Sequence, residues 1–214
     1  MASKLSLYND ALLLCGERPL STLTDTVEGR RLCDQVWNNG GVDYCLAQSQ
    51  WYFALRTQQF DYDTAVDPDF GLEYAFLKPS DWILTSAISA DENLREPITE
   101  YNDENGYWYA DLTPIYVKYV SNDSGYGGDL SIWPVPFKEY VAAYFASKIV
   151  YSISKSDDRM KIVMDALKRT SHEAKNHSAN TQPPSFYPTG NWSRARRGGR
   201  YNSDRGNNNG PLIG

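Results

Sequence analysis

The chain has 214 residues, of which 41% are hydrophobic and 14% aromatic, so it can bury the core of one large domain or of a domain with an appendage. Its three cysteines are widely spaced and form no CxxC pair, which excludes a disulfide framework and predicts small buried residues in a reducing compartment. Residues 1–10 lack the pattern of a signal peptide, and no apolar run approaches the length of a membrane-spanning helix, so we expect no membrane anchor.

The formal net charge of −6 is distributed unevenly along the chain. Residues 181–214 contain five arginines, no lysine and one acid, and therefore carry +4, whereas residues 1–180 carry −10. This distribution predicts an acidic body, residues 1–180, and a basic C-terminal arm, residues 181–214.

Two helices are predicted in the N-terminal quarter of the chain. The first covers residues 3–16, with Ser3 as a cap at its start and Gly16 as a stop signal that Pro19 follows. The second covers about residues 26–48 and has Gly40 and Gly41 in its middle. Each glycine costs roughly 1 kcal/mol relative to alanine in a helix interior, so we expect a kink or a tight helix crossing there.

The residues from about 80 to 120 predict a small antiparallel sheet of three or four strands, inserted between the helices. The β-prone runs cover residues 81–88, 97–101, 106–110 and 115–120, and Asn105–Gly106 is a hairpin-turn signal. Before this insertion, residues 51–55 are apolar on every side, which predicts burial or an interface, and residues 58–70 are acidic and rich in turn formers. After it, residues 121–128 form a glycine-rich loop.

Two further helices are predicted over residues 136–154 and 157–178. In the first, an apolar residue recurs every four positions with three alanines beside the stripe, which predicts a core helix. The second has an apolar stripe at helical spacing, and the short break between the two predicts an antiparallel hairpin. The stripe of the core helix is Phe137, Val141, Phe145, Ile149 and Ile153.

These elements predict an α+β fold that is mainly α: an antiparallel helical bundle with a small antiparallel β-sheet insertion and an extended C-terminal arm. The arm is rich in proline, glycine, asparagine and arginine, and cannot bury enough surface to fold alone. Its arginines and interleaved aromatic residues suit single-stranded nucleic acid through charge and stacking, and they suit a partner protein equally. The candidate binding residues of the arm are Phe186, Tyr187, Trp192, Arg194, Arg196, Arg197, Arg200, Tyr201 and Arg205.

No metal-binding or cofactor-binding residue is predicted. His172 and His177 are five residues apart, which is roughly 140° around a helix, whereas a zinc pair on one helix face needs a spacing of four. Gly125–Gly128 is not followed by the lysine and hydroxyl residue of a phosphate loop, so a surface loop is the simpler interpretation.

No catalytic residue is predicted either, and we expect a protein that is not an enzyme. Spacing selects no glycosidase pair among the 27 acids, so Glu73, Asp81 and Glu100 are interpreted as surface charges. No serine has a GxSxG setting and no cysteine has a paired histidine. The residues alone therefore indicate an assembly protein with a binding arm.

Several short motifs are spread over nearly the whole chain. One runs from Asn9 to Leu23, one is Trp51-Tyr52-Phe53-Ala54, and one, Leu77 to Asp81, is similar to a Leu-Pro-x-Asp turn with an extra Lys78. The strand at residues 115–120 and a tryptophan followed by arginines in the arm complete the set. Together they resemble the head-to-tail adaptor family of short-tailed bacteriophages, the tail tubular protein A type. In the first motif the matching residues are Asn9, Leu12, Gly16, Glu17, Pro19, Ser21 and Leu23.

This resemblance implies a structural protein of the virion neck, made in the host cytoplasm and without a cofactor. It implies a ring of about twelve copies that docks on the portal protein, extends the DNA channel and receives a tail nozzle or tail tubular partner. DNA would pass without sequence-specific binding, and an acidic body suits that role because it does not grip phosphates. The basic arm would dock on the portal protein.

Two alternatives stay open. Some relatives in the family are described as cell-wall hydrolases, so a peptidoglycan-hydrolase side activity is one, although no motif supports it and the chemistry needs two acids about 5–10 Å apart. Free nucleic-acid binding through the arm is the other, and it predicts a steep dependence of affinity on salt.

Overall fold

The computed structural model describes residues 3–68 and 71–181. In these ranges the chain forms five α-helices, two short 3₁₀ helices and six β-strands, and the strands make two three-stranded antiparallel sheets. Strand accounts for 19% of the structure and helix for 45%, so the two sheets are a substantial second part of the fold rather than a small insertion. The predicted fold class, an antiparallel helical bundle with a small β insertion, is therefore wrong, and the fold is mixed.

The first helix, α1, spans Lys4–Cys15, inside the range predicted for it. The hydroxyl of Ser3 accepts the backbone N–H of Ser6, and the hydroxyl of Ser6 accepts the backbone N–H of Ser3, which forms a reciprocal capping box. At the other end Gly16 has φ of 80°, a left-handed conformation that suits glycine and stops the helix.

The single helix predicted over residues 26–48 is wrong, because the structure has two helices there. Helix α2 spans Glu28–Asn38 and helix α3 spans Gly41–Leu46. Gly40 has φ of 76°, so the chain turns out of the helical path at that residue. A Cβ atom on Gly41 would lie 2.7 Å from the carbonyl oxygen of Val36, which shows how closely the two helices meet. The glycine pair therefore breaks the helix instead of kinking it, and the close approach of neighbouring helices at Gly41 is the other outcome that we expected there.

Helices α4, Val135–Ser154, and α5, Asp157–Thr181, form the expected antiparallel hairpin. Lys155, with φ of 48°, makes the turn between them. Helix α4 packs against each of the other four helices, which explains why the chain places nine buried residues on it. Helix α5 ends three residues later than predicted, so the boundary set at residues 180–181 falls at the last residue of the helix.

The first sheet has the strand order β1-β6-β3, with β1 at Leu55–Phe60, β3 at Trp82–Ser89 and β6 at Ile115–Ser121. The second has the order β2-β5-β4, with β2 at Tyr74–Leu77, β4 at Asn102–Glu104 and β5 at Tyr107–Ala110. Strands β1, β2 and β4 lie outside the predicted runs. The strand predicted over residues 97–101 is wrong, because only a single bridge between Pro97 and Ser89 forms there.

The hairpin between β4 and β5 turns at the predicted dipeptide. Asn105 has φ of 47° and Gly106 has φ of 81°, so both central residues are left-handed, as in the tight turns that match the twist of a hairpin.

Two hydrophobic cores meet at β6. Val120 lies in the helical core with Phe137 and Phe145, whereas Val117 and Tyr119 lie in a second core between the two sheets. The two sheets are therefore stacked on each other and anchored to the helices through one shared strand. Within the described residues, no helix combines the length and the apolar composition that crossing a membrane requires.

Candidate functional site

The nine predicted binding residues of the arm lie outside the described residues. The part of the body from which the arm leaves is described, and it ends with the last turn of α5 at Thr181. The candidate sites in the body therefore come from its charge distribution, its polar clusters and its surface grooves.

The negative charge of the body is concentrated in its β-sheet region. Residues 55–121 contain thirteen acids and four bases, a net charge of −9. Residues 1–54 and 122–180 together contain thirteen acids and twelve bases, a net charge of −1. The acidic character that the sequence assigned to the whole body thus belongs almost entirely to the segment that contains the two sheets, and within the strands themselves the acids are Asp103 and Glu104.

Asp81 lies in a partly buried cluster and not among the surface charges where we expected it. Its carboxylate accepts a hydrogen bond from Arg56 at 2.8 Å and another from the hydroxyl of Ser121, with the hydroxyl of Tyr119 3.3 Å away. Burial opposes ionisation of Asp81, but the bonds from Ser121 and Arg56 hold its pKa below the usual range. Burial and the Asp81 charge raise the pKa of Tyr119 to about 12.

This cluster is a structural ion pair that joins β1, β6 and the start of β3. Because the charge of Asp81 is already paired with Arg56, this carboxylate is not a free acid for glycosidase chemistry. Glu73 and Glu100 are exposed, as expected.

A second cluster surrounds Lys78, the residue that is extra in the turn motif. The side chain of Lys78 is only 6% exposed, pairs with Asp103, and places its ammonium 3.7 Å from the ring centre of Trp82. The hydroxyl of Thr85 accepts both indole N–H groups, from Trp82 at 3.0 Å and Trp108 at 2.9 Å, and donates to Asp103 at 3.1 Å. The cluster connects β3 of one sheet with β4 and β5 of the other, so it holds the stacked sheets in place.

The glycine-rich loop is a packed turn. A Cβ atom on Gly127 would lie 2.4 Å from the carbonyl oxygen of Ser121, and one on Gly128 would lie 2.3 Å from that of Asn122. The indole N–H of Trp133 donates to the carbonyl of Gly127 at 2.8 Å. These glycines therefore allow close packing beneath Trp133, and phosphate binding is not needed to explain them.

His172 and His177 are both exposed on α5. Among the residues that the structure describes, no group of three or more His, Cys, Asp or Glu side chains has the arrangement to hold a metal ion. The three cysteines are buried and free, as predicted, and burial raises the pKa of Cys15 to about 11 and of Cys33 and Cys45 to about 12.

A groove runs between α2 and α4 on the helical side of the body. It has a volume of about 420 Å³, and a second pocket of about 480 Å³, which also touches Ser152, lies between residues 17–29 and the end of α4. Gln35, Asn39 and Lys148 line the groove together with Val36 and other apolar residues. Such a lining offers hydrogen bonds and apolar contact to a segment of a partner protein, and it holds no nucleophile paired with a base.

Comparison with known proteins gave no match, either to protein-family models or to curated proteins.

Proposed function

We propose that this chain is the head-to-tail adaptor of a short-tailed bacteriophage. In this role it is a structural protein of the virion neck that docks on the portal protein, extends the DNA channel and receives the tail. Copies of it form a ring, the body contributes to the channel, and the basic arm attaches to the portal protein.

The observation that carries this proposal is the set of family-like motifs, whose residues have defined roles in the fold. The side-chain amide of Asn9 bonds both backbone groups of Leu20, accepting at 2.7 Å and donating at 3.2 Å. The indole of Trp51 is fully buried and donates to the carbonyl of Cys45 at 3.0 Å. Motif residues with structural roles of this kind support the family resemblance more strongly than motif residues at exposed positions would.

The charge distribution is a second line of support. A channel for DNA works best when its wall does not hold phosphates, and the β-sheet region with its net charge of −9 repels them. The groove between α2 and α4 gives the helical side of the body a surface suited to a protein partner. Each half of the body thus fits one part of the proposed role.

The test is electron microscopy of the purified protein alone and mixed with the portal protein of the same phage. The proposal expects a ring of added density below the portal, with a central channel that continues the portal channel. A mixture in which the portal gains no density, at protein concentrations well above that of the portal, would contradict it.

A further inference from the structure

Each of the two sheets has one outer strand whose free edge is covered. Beside β3, Ser89 bridges to Pro97, and the N–H of Ile98 donates to the carbonyl of Ile88 at 2.8 Å. Beside β2, the N–H of Asp63 donates to the carbonyl of Ala75 at 2.7 Å. Neighbouring segments thus satisfy part of the backbone along these two edges.

The other outer strand of each sheet is open. In the described part of the chain, the backbone of β1 from Arg56 to Phe60 bonds only to β6, and the backbone of β4 bonds only to β5. Exposed strand edges are normally protected by proline, charged side chains or a bulge. Strand β1 has no proline, the register irregularities lie between β3 and β6, and its one charged residue, Arg56, is paired with Asp81 inside the subunit. Strand β1 is therefore free to pair with another strand.

The two open edges lie on opposite flanks of the stacked sheets. Tyr62, just after β1, packs against Tyr74 of β2 with ring centres 5.0 Å apart, so β1 and β2 share one flank. On the other flank, Thr85 of β3 donates to Asp103 of β4 at 3.1 Å. Each flank therefore has one covered strand and one open strand, and the open strand differs between the two flanks. A head-to-tail contact between identical subunits needs two different surfaces of this kind.

Within the strands themselves the charges at the two open edges are opposite, and the nearest acid along the chain from β1, Asp61, follows its last residue. Strand β1 and its neighbour β6 carry Arg56 and Lys118 and no acid, and Lys118 is half-buried. Strand β4 carries Asp103 and Glu104 and no base, and Glu104 is exposed. Because Arg56 and Asp103 already have partners inside the subunit, Lys118 and Glu104 contribute most of the difference. Pairing β1 with β4 brings unlike charges together, whereas pairing β1 with β1 or β4 with β4 brings like charges together.

We propose that the open edge of β1 in one copy pairs with the open edge of β4 in the next copy, so that a β-sheet continues across the subunit boundary. This inference rests on the ring assembly of the proposed function and identifies the contact that builds the ring. Strand β4 has only three residues, so each contact forms few hydrogen bonds and is weak in dilute protein. When copies are held side by side on a common template, the effective concentration of one open edge near the other rises, and the weak contact can form.

The experiment is disulfide trapping between two differently tagged variants, each with one added cysteine, in concentrated solution under mild oxidation. One carries Glu104→Cys, and the other carries Cys in place of Thr57, Gln58 or Gln59, a scan that covers both faces of β1 because neighbouring strand residues point to opposite faces. The native cysteines are at most 3% exposed and do not compete. Lys161→Cys on α5, at a position where the side chain is 75% exposed, is the matched control.

The proposal expects a mixed disulfide between the Glu104→Cys variant and at least one β1 variant, several-fold faster than with the Lys161→Cys control. Neither variant forms a disulfide dimer by itself, whereas a chain that carries both cysteines forms a ladder of oligomers. Rapid dimers of a β1 variant alone indicate symmetric pairing of β1 with β1 and overturn the proposal.

Failure of this contact is distinguishable from failure of the proposed function. If a ring forms on the portal protein and none of the three β1 positions crosslinks to residue 104, the edge contact is wrong and the adaptor role stands. If the ladder forms and the portal binds nothing, the contact is right and the adaptor role fails.

Charge variants give an independent readout of the same contact. With the β4 cysteine moved to the exposed Asn102, so that residue 104 keeps its charge, Glu104→Lys and Lys118→Glu should each slow the mixed disulfide several-fold. The pair of variants in which both edges carry their change should recover most of the rate because the two edges exchange signs. Equal rates in all three variants would overturn the electrostatic part of the argument. Melting curves of these exposed or half-buried variants show whether their fold is intact.

Discussion

At the scale of single residues, the partly buried Asp81 shows how chemistry that resembles a site can be structural. Its pKa is displaced and its hydrogen bonds are dense, which are properties of many functional carboxylates. Its partners, Arg56, Tyr119 and Ser121, all belong to strands of one sheet. The cluster therefore stabilises strand pairing, and its effect should be measured as the dependence of the free energy of unfolding on pH.

The first prediction concerns acid. Because the folded-state pKa of Asp81 lies below its usual range, ionised Asp81 stabilises the fold above the unfolded-state pKa, and this stabilisation is lost as the pH falls through the folded-state value. Asp81→Asn should lower the free energy of unfolding at pH 7 and make it less dependent on pH between neutral and acid conditions. The measurement is denaturant unfolding at several pH values.

Asp63→Asn, at a half-buried carboxyl in the loop after β1, is the control for a general charge effect. An equal loss of pH dependence in both variants would show that Asp81 has no special role.

The second prediction concerns the helical core. Phe145 is fully buried in contact with the rings of Tyr8 and Trp37, at centre distances of 6.1 and 6.3 Å. Phe145→Ala should lower the free energy of unfolding by about 3–5 kcal/mol, the range for large aromatic residues in cores. Leu167→Ala should cost less, because Leu167 is only partly buried.

Urea unfolding of both variants checks this order. If Leu167→Ala proved as destabilising as Phe145→Ala, the hairpin of α4 and α5 would be packed more tightly than the structure shows.

At the scale of elements, the glycine pair between α2 and α3 determines how the N-terminal helices fit onto α4. A Cβ atom on Gly41 would meet the carbonyl of Val36 at 2.7 Å and the ring of Phe145 at 3.2 Å. The close approach depends on the missing side chain, and the left-handed φ of Gly40 provides the turn just before it. Gly40 therefore provides the turn, and Gly41 allows the close packing of the helices.

The third prediction tests that close approach. Gly41→Ala should destabilise the fold by roughly 1–3 kcal/mol, because the extra methyl group forces α2 and α3 apart against a packed core. Gly125→Ala is a matched control, since its Cβ atom would have its nearest neighbour at an ordinary 3.5 Å. Thermal melting of the pair should show a clear drop for the first variant only, and equal melting temperatures would mean that the helix junction adjusts freely.

At the scale of the whole molecule, the described body has two hydrophobic cores, and their described members lie between residues 5 and 174. The arm contributes a net charge of +4 and several aromatic side chains, by sequence alone. We therefore expect the arm to contribute little to the stability of the body and much to its attachment to a partner.

The fourth prediction follows from that contrast. Deleting residues 182–214 should leave the melting temperature of the body nearly unchanged, because the deletion removes no part of either described core. It should abolish stable attachment to the portal protein, because arginine and aromatic side chains are the residues most often responsible for binding energy at interfaces. The measurements are a melting curve and a pull-down with the portal protein.

Finer variants are Trp192→Ala and the triple alanine change at Arg194, Arg196 and Arg197. Normal portal binding by the truncated protein would show that the arm is not the attachment device, and it would favour a nucleic-acid role for the arm.

The sequence by itself determined the elements that depend on neighbours close in the chain. The capping residues of α1, the stripe of α4, the hairpin with α5 and the turn at Asn105–Gly106 were all predictable, because caps, helical periodicity and tight turns are local. The family resemblance also came from the sequence alone.

Only the tertiary structure decided how the strands pair into two sheets and that residues 55–60 form a strand. Strand β1, Leu-Arg-Thr-Gln-Gln-Phe, has no clear alternation of apolar and polar residues, and it becomes a strand because it pairs with β6 about sixty residues later in the chain. The ion pair of Arg56 with Asp81 and the two open edges follow from the pairing of the strands. A strand is defined by its partners rather than by its own residues, so contacts between distant segments had to form before any of these features existed.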